Sequence, residues 1–143
     1  MAERPPCKGM GCMINEAMIR MIGASLYWCE GTKPRPGKDY EVCLTNTDAD
    51  MIRVFMKYLE ALGVKKEELK IEIYLYPDHI KSKELKYWSI KLNIDKEKIV
   101  VRNASGHGKR KVSHGICKVR IWNKDLMRRV LEDIEKVKKI VDV

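Results

Sequence analysis

Apolar residues recur along this chain with two spacings, one typical of helices and the other of strands. Spacings of three or four residues predict helices at about 16–29, 48–62, 82–92 and 124–140. Strict alternation predicts strands at about 40–45, 69–76, 98–104 and 115–122. Because the strands alternate instead of forming continuous apolar runs, one face of the sheet should be solvated. We therefore predict an α+β fold in which an antiparallel sheet carries helices packed on one face.

Short polar residues and glycines mark the ends of the predicted helices. Asn15, Thr47 and Asn123 precede the first, second and last helices. They are suited to be N-caps, because their side-chain oxygens can accept hydrogen bonds from N–H groups of the first turn. Gly63 ends the second helix. Gly31 follows the first helix, where we expect the left-handed conformation that glycine adopts most readily.

The length of the chain, 143 residues, suits one domain with a hydrophobic core. We predict a single domain at 14–143, preceded by an irregular arm at 1–13 that contains two adjacent prolines and two glycines. No apolar run approaches the roughly 18 to 20 residues needed to cross a bilayer, and the start of the chain lacks a secretory signal pattern. We therefore expect a cytoplasmic protein with no membrane partner.

The cysteines do not form the even, regularly spaced set that is typical of a disulfide framework. Cys29, Cys43 and Cys117 lie within predicted helices and strands, and we expect them to be small buried residues. Cys7 and Cys12 are separated by four residues, which is half of the spacing pattern of a zinc site.

A zinc site would need two further ligands, and the candidates are His107 and His114. Their spacing is looser than zinc sites usually have, so a tail without metal is the favoured interpretation of the two N-terminal cysteines.

The chain is basic, with 29 Lys and Arg against 20 acidic residues and a formal net charge of +9. Such a charge favours a polyanionic partner or an acidic membrane surface. Two glycine- or proline-containing loops, at 32–39 and 105–114, carry clustered cations, and the outer sheet face should add more. Alternatively, the cations of these two loops are solvated charges that keep the protein soluble. The phosphate-binding candidates are Lys33, Arg35, Lys38, Arg102, Lys109, Arg110, Lys111, Lys118 and Arg120.

The first helix ends on an acidic residue, Glu30, where the helix dipole disfavours negative charge unless a cation or a ligand compensates. Residues at every fourth position, Ala17, Met21, Ser25 and Cys29, form a stripe in which three of the four are small. Such a stripe lets two backbones approach closely, which favours packing against a second copy of the same helix. The simpler interpretation of the acid is a structural ion pair with Lys33.

The segment Gly23-Ala24-Ser25-Leu26-Tyr27-Trp28-Cys29-Glu30-Gly31 resembles the LAGLIDADG motif of homing endonucleases. Glu30 stands at the final acidic position and Gly31 closes the motif. Ser25 replaces the first glycine, and Trp28 replaces the earlier acidic residue. The strings Tyr-Trp-Cys-Glu-Gly-Thr-Lys at 27–33 and Leu-Thr-Asn-Thr-Asp at 44–48 are similar to segments of stand-alone members of that family.

This resemblance implies a homodimer, built through the first helix, that acts on a pseudo-palindromic site in double-stranded DNA. It also implies Mg²⁺-dependent hydrolysis of a phosphodiester bond, with Glu30 of each copy as a metal ligand. Asn46 is a candidate for orienting water or phosphate, and Lys118 or Lys33 for stabilising the developing charge. Two alternatives remain, a DNA-binding regulator or domesticated relic that has lost cleavage, and an RNA-binding module.

Overall fold

A computed structural model of the chain describes residues 15–34, 40–105 and 113–143. Within these ranges, helices and strands follow the predicted order, with bounds that differ by a few residues at most. They are α1 Glu16–Glu30, β1 Glu41–Asn46, α2 Ala49–Ala61, β2 Lys70–Leu75, α3 Lys81–Leu92, β3 Ile99–Asn103, β4 Ile116–Trp122 and α4 Lys124–Ile140. Several predictions lie outside the described residues, namely those on the arm 1–13, Cys7, Cys12, Arg35, Lys38, His107, Lys109, Arg110 and Lys111.

The four described strands form one mixed sheet in the order β1-β4-β2-β3. Strand β4 pairs antiparallel with both β1 and β2, whereas β3 pairs parallel with β2. The prediction of a wholly antiparallel sheet is therefore wrong. The parallel pairing is caused by α3, which connects β2 to β3 as a crossover and returns the chain to the sheet in the same direction. Alternation indicates that one face is buried, and it does not report strand direction.

The helices cover one face of this sheet, as the alternation predicted. Val42 and Leu44 of β1 stand in register with Ile121 and Val119 of β4, and all four point towards the helices. The same face of β2 contributes Ile71 and Ile73 to the core. Phe55, Leu59, Trp88, Leu126 and Val130 complete the core from the helical side. The opposite face of the sheet carries mainly polar and charged side chains, together with a few apolar ones such as Val100 and Trp122.

Helix α1 lies between α2 and α4, and α3 packs against α2. Gly23 permits a close approach of α1 to α2, because a Cβ atom at this position would lie 2.1 Å from the ring Cγ of Tyr58. Arg20 of α1 donates two hydrogen bonds to the buried carboxylate of Asp133 in α4, at 3.2 and 2.8 Å. The hydroxyl of Tyr58 donates to the same carboxylate at 2.9 Å. One buried acid therefore joins three helices.

The predicted helix caps are confirmed at two of three positions. The side chains of Asn15 and Asn123 accept hydrogen bonds from the third residue of α1 and of α4, at 2.9 and 3.0 Å. Thr47 was the wrong residue for α2. The carboxylate of Asp48 caps this helix instead, accepting from the N–H groups of the two residues Asp50 and Met51.

Gly31 follows α1 as predicted, but its conformation is not left-handed, since its φ is −74°. A glycine is needed here for a different reason. A Cβ atom at Gly31 would lie 2.4 Å from the ring of Tyr27, which packs under the end of the helix. The first glycine of the segment 23–31 thus contacts α2, and the last one makes room for an aromatic ring of the same chain.

Two of the three cysteine predictions are confirmed. Cys43 and Cys117 are buried, and burial raises the pKa of each thiol. Cys29 is exposed, so its predicted burial is wrong. It lies on the side of α1 that faces away from α2 and α4. None of the described helices is both long and apolar enough to span a membrane.

Candidate nucleic-acid interface

The sheet face opposite the helices, here called the open face, carries Arg102, Lys118 and Arg120, three of the four described phosphate-binding candidates. Alternation along the strands places there the side chains of Glu41, Cys43, Thr45, Lys70, Glu72, Tyr74, Val100, Arg102, Lys118, Arg120 and Trp122. The described helices pack on the other side and do not cover this surface. Arg102 and Lys70 are about half exposed, and Lys118 is partly exposed.

An acid at the centre of the open face organises its cations. Glu72 is only 1% exposed, although it points away from the helical layer. Its Oε1 atom accepts a hydrogen bond from Nη2 of Arg120 at 2.7 Å. The same oxygen forms longer ion pairs with Lys70 at 3.5 Å and Arg102 at 3.6 Å. Its Oε2 atom accepts from the hydroxyl of Tyr74 at 2.8 Å.

These contacts decide the charge of the buried Glu72 carboxyl. Burial alone would raise its pKa, but the hydrogen bond from Tyr74 and the charges of Arg120 and Arg102 outweigh that effect, and the net pKa is lowered. The same hydrogen bond raises the pKa of Tyr74. Glu72 therefore stays ionised at neutral pH and holds the surrounding cations in place. This role was not predicted, because its only signal in the sequence is an acid between two inward-facing isoleucines.

Arg120 was predicted to contact DNA, and the structure shows it largely enclosed by its own chain. Its side chain is 16% exposed. Besides Glu72, it faces Glu41 at 3.5 Å, and its guanidinium carbon lies 4.7 Å from the ring centroid of Trp122. Arg120 thus supports the open face from within, while Arg102, Lys70 and Lys118 present charge to a partner.

The end of α1 is closed by a cation from the following loop. The ammonium of Lys33 donates to the carbonyl oxygens of Tyr27, Trp28 and Gly31 at 3.0, 2.6 and 3.0 Å. This places positive charge at the carboxyl end of the helix, where the dipole favours it. All three donors of Lys33 are engaged within the chain, an arrangement that the sequence did not reveal.

Glu30 is exposed, and no hydrogen bond or ion pair with another described residue engages its carboxylate. The structural interpretation, an ion pair between Glu30 and Lys33, is therefore wrong. Lys33 compensates the helix end through the carbonyl groups instead. The carboxylate remains available to a ligand or to a second copy of the chain.

Strand pairing gives the position of the end of α1 relative to Lys118 and Asn46, the other two predicted catalytic residues. Gly31 pairs with Leu44 of β1, and the next residue of β1, Thr45, stands opposite Lys118 of β4. One strand thus separates Lys118 from the chain that leaves α1, a backbone distance of roughly 10 Å from two strand spacings. Asn46 ends β1, and its side-chain carbonyl accepts from the N–H group of Asp48 at 2.9 Å. That contact shapes the turn into α2.

The stripe on α1 begins beside α4, where Ala17 and Met21 line a cleft with Asp133, and ends on the outside of the subunit at Cys29. Ala17 and Cys29 are exposed, and Met21 and Ser25 are partly so. The hydroxyl of Ser25 donates to the carbonyl of Met21 at 2.8 Å, so it has no unmet hydrogen bond. Two larger apolar residues, Met18 and Ile22, are exposed beside the stripe. The outer face of α1, formed by Met18, Ile22 and Cys29, is an apolar surface that the described helices leave exposed.

The described residues offer few side chains that could bind a metal ion. The described residues contain no group of three or more His, Cys, Asp and Glu side chains placed to hold an ion. Glu30 offers one carboxylate, which is half of the pair expected for Mg²⁺ at a two-fold axis. His114, the described zinc candidate, lies with its Nδ1 atom 2.8 Å from the buried carboxylate of Glu84 and stacks on Tyr87.

Comparison with known proteins adds no relative, because no protein-family model, curated protein or solved structure matches the chain. The resemblance to the LAGLIDADG motif therefore depends on the short strings at 23–33 and 44–48. A function for the open face and for the end of α1 has to be argued from their chemistry.

Proposed function

We propose that this protein binds double-stranded DNA through the open face of its sheet, as a homodimer joined along α1. The observation that carries the proposal is a wide, helix-free sheet surface on which Arg102, Lys70 and Lys118 present positive charge. Phosphate contacts of this kind supply affinity, and the strands of such a sheet can reach base edges in a major groove. The net charge of +9 supports a polyanionic partner.

The homodimer is supported by the outer face of α1. A partner that covers exposed apolar side chains such as Met18 and Ile22 removes them from water, which stabilises the dimer. Ser25 and Cys29, two small residues beside them, allow two helices to approach closely. A two-fold pairing of α1 would place two copies of the open face side by side, so that the DNA site would be pseudo-palindromic.

The same pairing would bring Glu30 from each of two copies towards one place, and two carboxylates suit Mg²⁺ better than one. When bound, Mg²⁺ would supply an activated water and neutralise charge on the scissile phosphate. The chain's own contribution would be to orient the carboxylates at the rigid end of α1, which Lys33 caps. Lys118, one strand away, would stabilise negative charge on the phosphate electrostatically. This is a proposal for a site-specific DNA endonuclease.

A DNA-binding protein without cleavage is the second candidate. It is favoured by the engagement of Lys33, a predicted catalytic cation, with three backbone carbonyls. It is also favoured by the single carboxylate at the end of α1. In this alternative the open face and the dimer remain as proposed, and Glu30 has no role in chemistry.

Glu30→Gln separates the two candidates. If the protein is an endonuclease, incubation of the wild type with a DNA library and Mg²⁺ will produce cuts, and the substitution will reduce their rate by at least about 100-fold because it removes the ligand charge. Sequencing of fragment ends measures the cuts. Glu16→Gln, at the opposite end of α1, is the matched control and should cleave normally. Binding without cuts by the wild type would support the second candidate.

A further inference from the structure

Trp122 is a large aromatic residue that the proposed duplex contacts do not explain. It ends β4 on the open face and is 56% exposed. Most tryptophan side chains are largely buried, because burial of the indole ring contributes strongly to stability. An indole left on a charged sheet surface therefore needs a ligand or a structural reason.

The ring is held in one position by its neighbours. The guanidinium of Arg120 lies against Trp122, 4.7 Å from the ring centroid. Arg120 is itself fixed by the buried carboxylate of Glu72 at 2.7 Å and by Glu41 at 3.5 Å. A chain of contacts thus runs from the centre of the sheet to the indole. A ring held by this contact loses less conformational entropy when a ligand stacks on it than a side chain without contacts would.

The groups around the Trp122 ring indicate which class of ligand would bind there. Of the cations on the open face, Lys70 lies nearest to Trp122, because it pairs with Arg120, two residues before Trp122 on β4. Lys118 is four residues away on the same strand, and Arg102 is on the far strand β3. Such cations suit phosphate groups. A flat aromatic surface beside phosphate-binding cations fits a nucleobase on a nucleotide chain. In an intact duplex each base is stacked on both faces and offers only its edges in the grooves. Only a base that has left the stack can place its face on an indole.

We propose that Trp122, backed by Arg120, is a stacking platform for one unpaired base of DNA. This inference depends on the proposed function, because it names a feature of the DNA that the open face would bind. A duplex that contains an extrahelical base would satisfy both the phosphate-binding cations and the platform. A fully paired duplex would satisfy only the cations.

The test compares three DNA probes of one sequence, namely a paired duplex, the same duplex with one extrahelical base, and the single strand. Affinities are measured by fluorescence anisotropy at fixed salt. Stacking of one base on an aromatic side chain should make the bulged duplex bind between about 5-fold and 150-fold more tightly than the paired one. Trp122→Ala should abolish this preference, and Trp122→Phe should retain most of it.

Tyr40→Ala is the matched control. Tyr40 is also an exposed aromatic residue with a cation over its ring, Lys124 at 5.2 Å. It immediately precedes β1 and lies on the helical side of the sheet, where it lines a groove along α4. Its removal should leave the preference for the bulged duplex unchanged. Circular dichroism of each variant verifies that the fold is intact.

The outcomes distinguish this inference from the proposed function. Equal binding of paired and bulged duplexes, or a preference that survives Trp122→Ala, overturns the platform while duplex binding stands. Tighter binding of the single strand than of either duplex, lost in Trp122→Ala, supports the platform and contradicts the proposed preference for duplex DNA. Failure to bind any of the three probes overturns both.

Discussion

Asp133 shows how much a single buried charge contributes to this fold. It is nearly inaccessible, and it accepts hydrogen bonds from Arg20 and Tyr58 on two other helices. In the sequence, nothing distinguishes it from the other acids of α4. Its partners are 113 and 75 positions away along the chain, so no local pattern could have identified them.

Asp133→Ala should lower the free energy of unfolding by about 3 to 5 kcal/mol, because it leaves the Arg20 charge and the Tyr58 hydroxyl without their partner. Urea denaturation followed by circular dichroism measures the change. Glu132→Ala, which removes an exposed acid one position earlier on the same helix, should change the free energy by less than about 1 kcal/mol. Equal effects of the two substitutions would show that the buried carboxylate does not join the helices.

Glu72 makes the stability of the sheet depend on pH. Its pKa in the folded chain lies below the ordinary value of 4.5. The stability that this carboxylate contributes is therefore complete above about pH 4.5, and it is lost as the pH falls through the lower folded pKa. In Glu72→Gln the charge is absent at every pH.

We therefore expect the wild type to be more stable than Glu72→Gln at neutral pH, and we expect the difference to shrink as the pH falls from about 5 to about 2. Urea midpoints measured across this range follow the difference. A gap between the two proteins that stays constant with pH would contradict an ionised Glu72 at the centre of the open face.

At the scale of the elements, the sequence predicted which segments are helices and strands, and which side of β1, β2 and β4 is buried. It did so because burial of one face imposes a spacing that can be read locally, as in Val42 and Leu44 of β1. It did not predict the parallel pairing of β2 with β3. Strand direction depends on where the connection through α3 runs, and residue alternation is the same for both directions.

The candidate site was only partly accessible to the same reasoning. The positions of Lys118 and Arg102 on the outer face follow from alternation. The enclosure of Arg120 by Glu72, Glu41 and Trp122 does not, because it depends on the register of neighbouring strands. The capping of α1 by Lys33 was equally hidden, since a basic loop residue looks the same whether it binds phosphate or carbonyl groups.

The outer face of α1 gives a prediction for the assembly. Ile22→Arg, which places charge in the middle of this apolar surface, should convert a dimer into a monomer because a second arginine would face it across the two-fold axis. Light scattering of the wild type should give twice the mass of one chain, and the variant the mass of one. Val54→Arg, at an exposed apolar position of α2, is the control and should stay dimeric. A monomeric wild type would contradict the proposed pairing.

The whole molecule has two different surfaces, a helical side on which cations and acids are interspersed with cations in excess, and an open face whose cations are arranged around one buried acid. If net charge alone attracted DNA, cations on either side would contribute equally. If the open face is the interface, only its own cations neutralise phosphates. The salt dependence of binding counts these contacts, since each neutralised phosphate adds about 0.9 to the slope of log affinity against log salt.

The most direct test of the account is therefore this slope for two double variants with equal loss of charge. Lys118→Gln with Arg102→Gln removes two cations from the open face, and Arg53→Gln with Lys57→Gln removes two exposed cations from α2. Binding of duplex DNA should weaken in the first variant, with the slope reduced by up to about 1.8, and should be nearly unchanged in the second. Equal effects of the two variants, or no effect of the first, would contradict DNA binding through the open face.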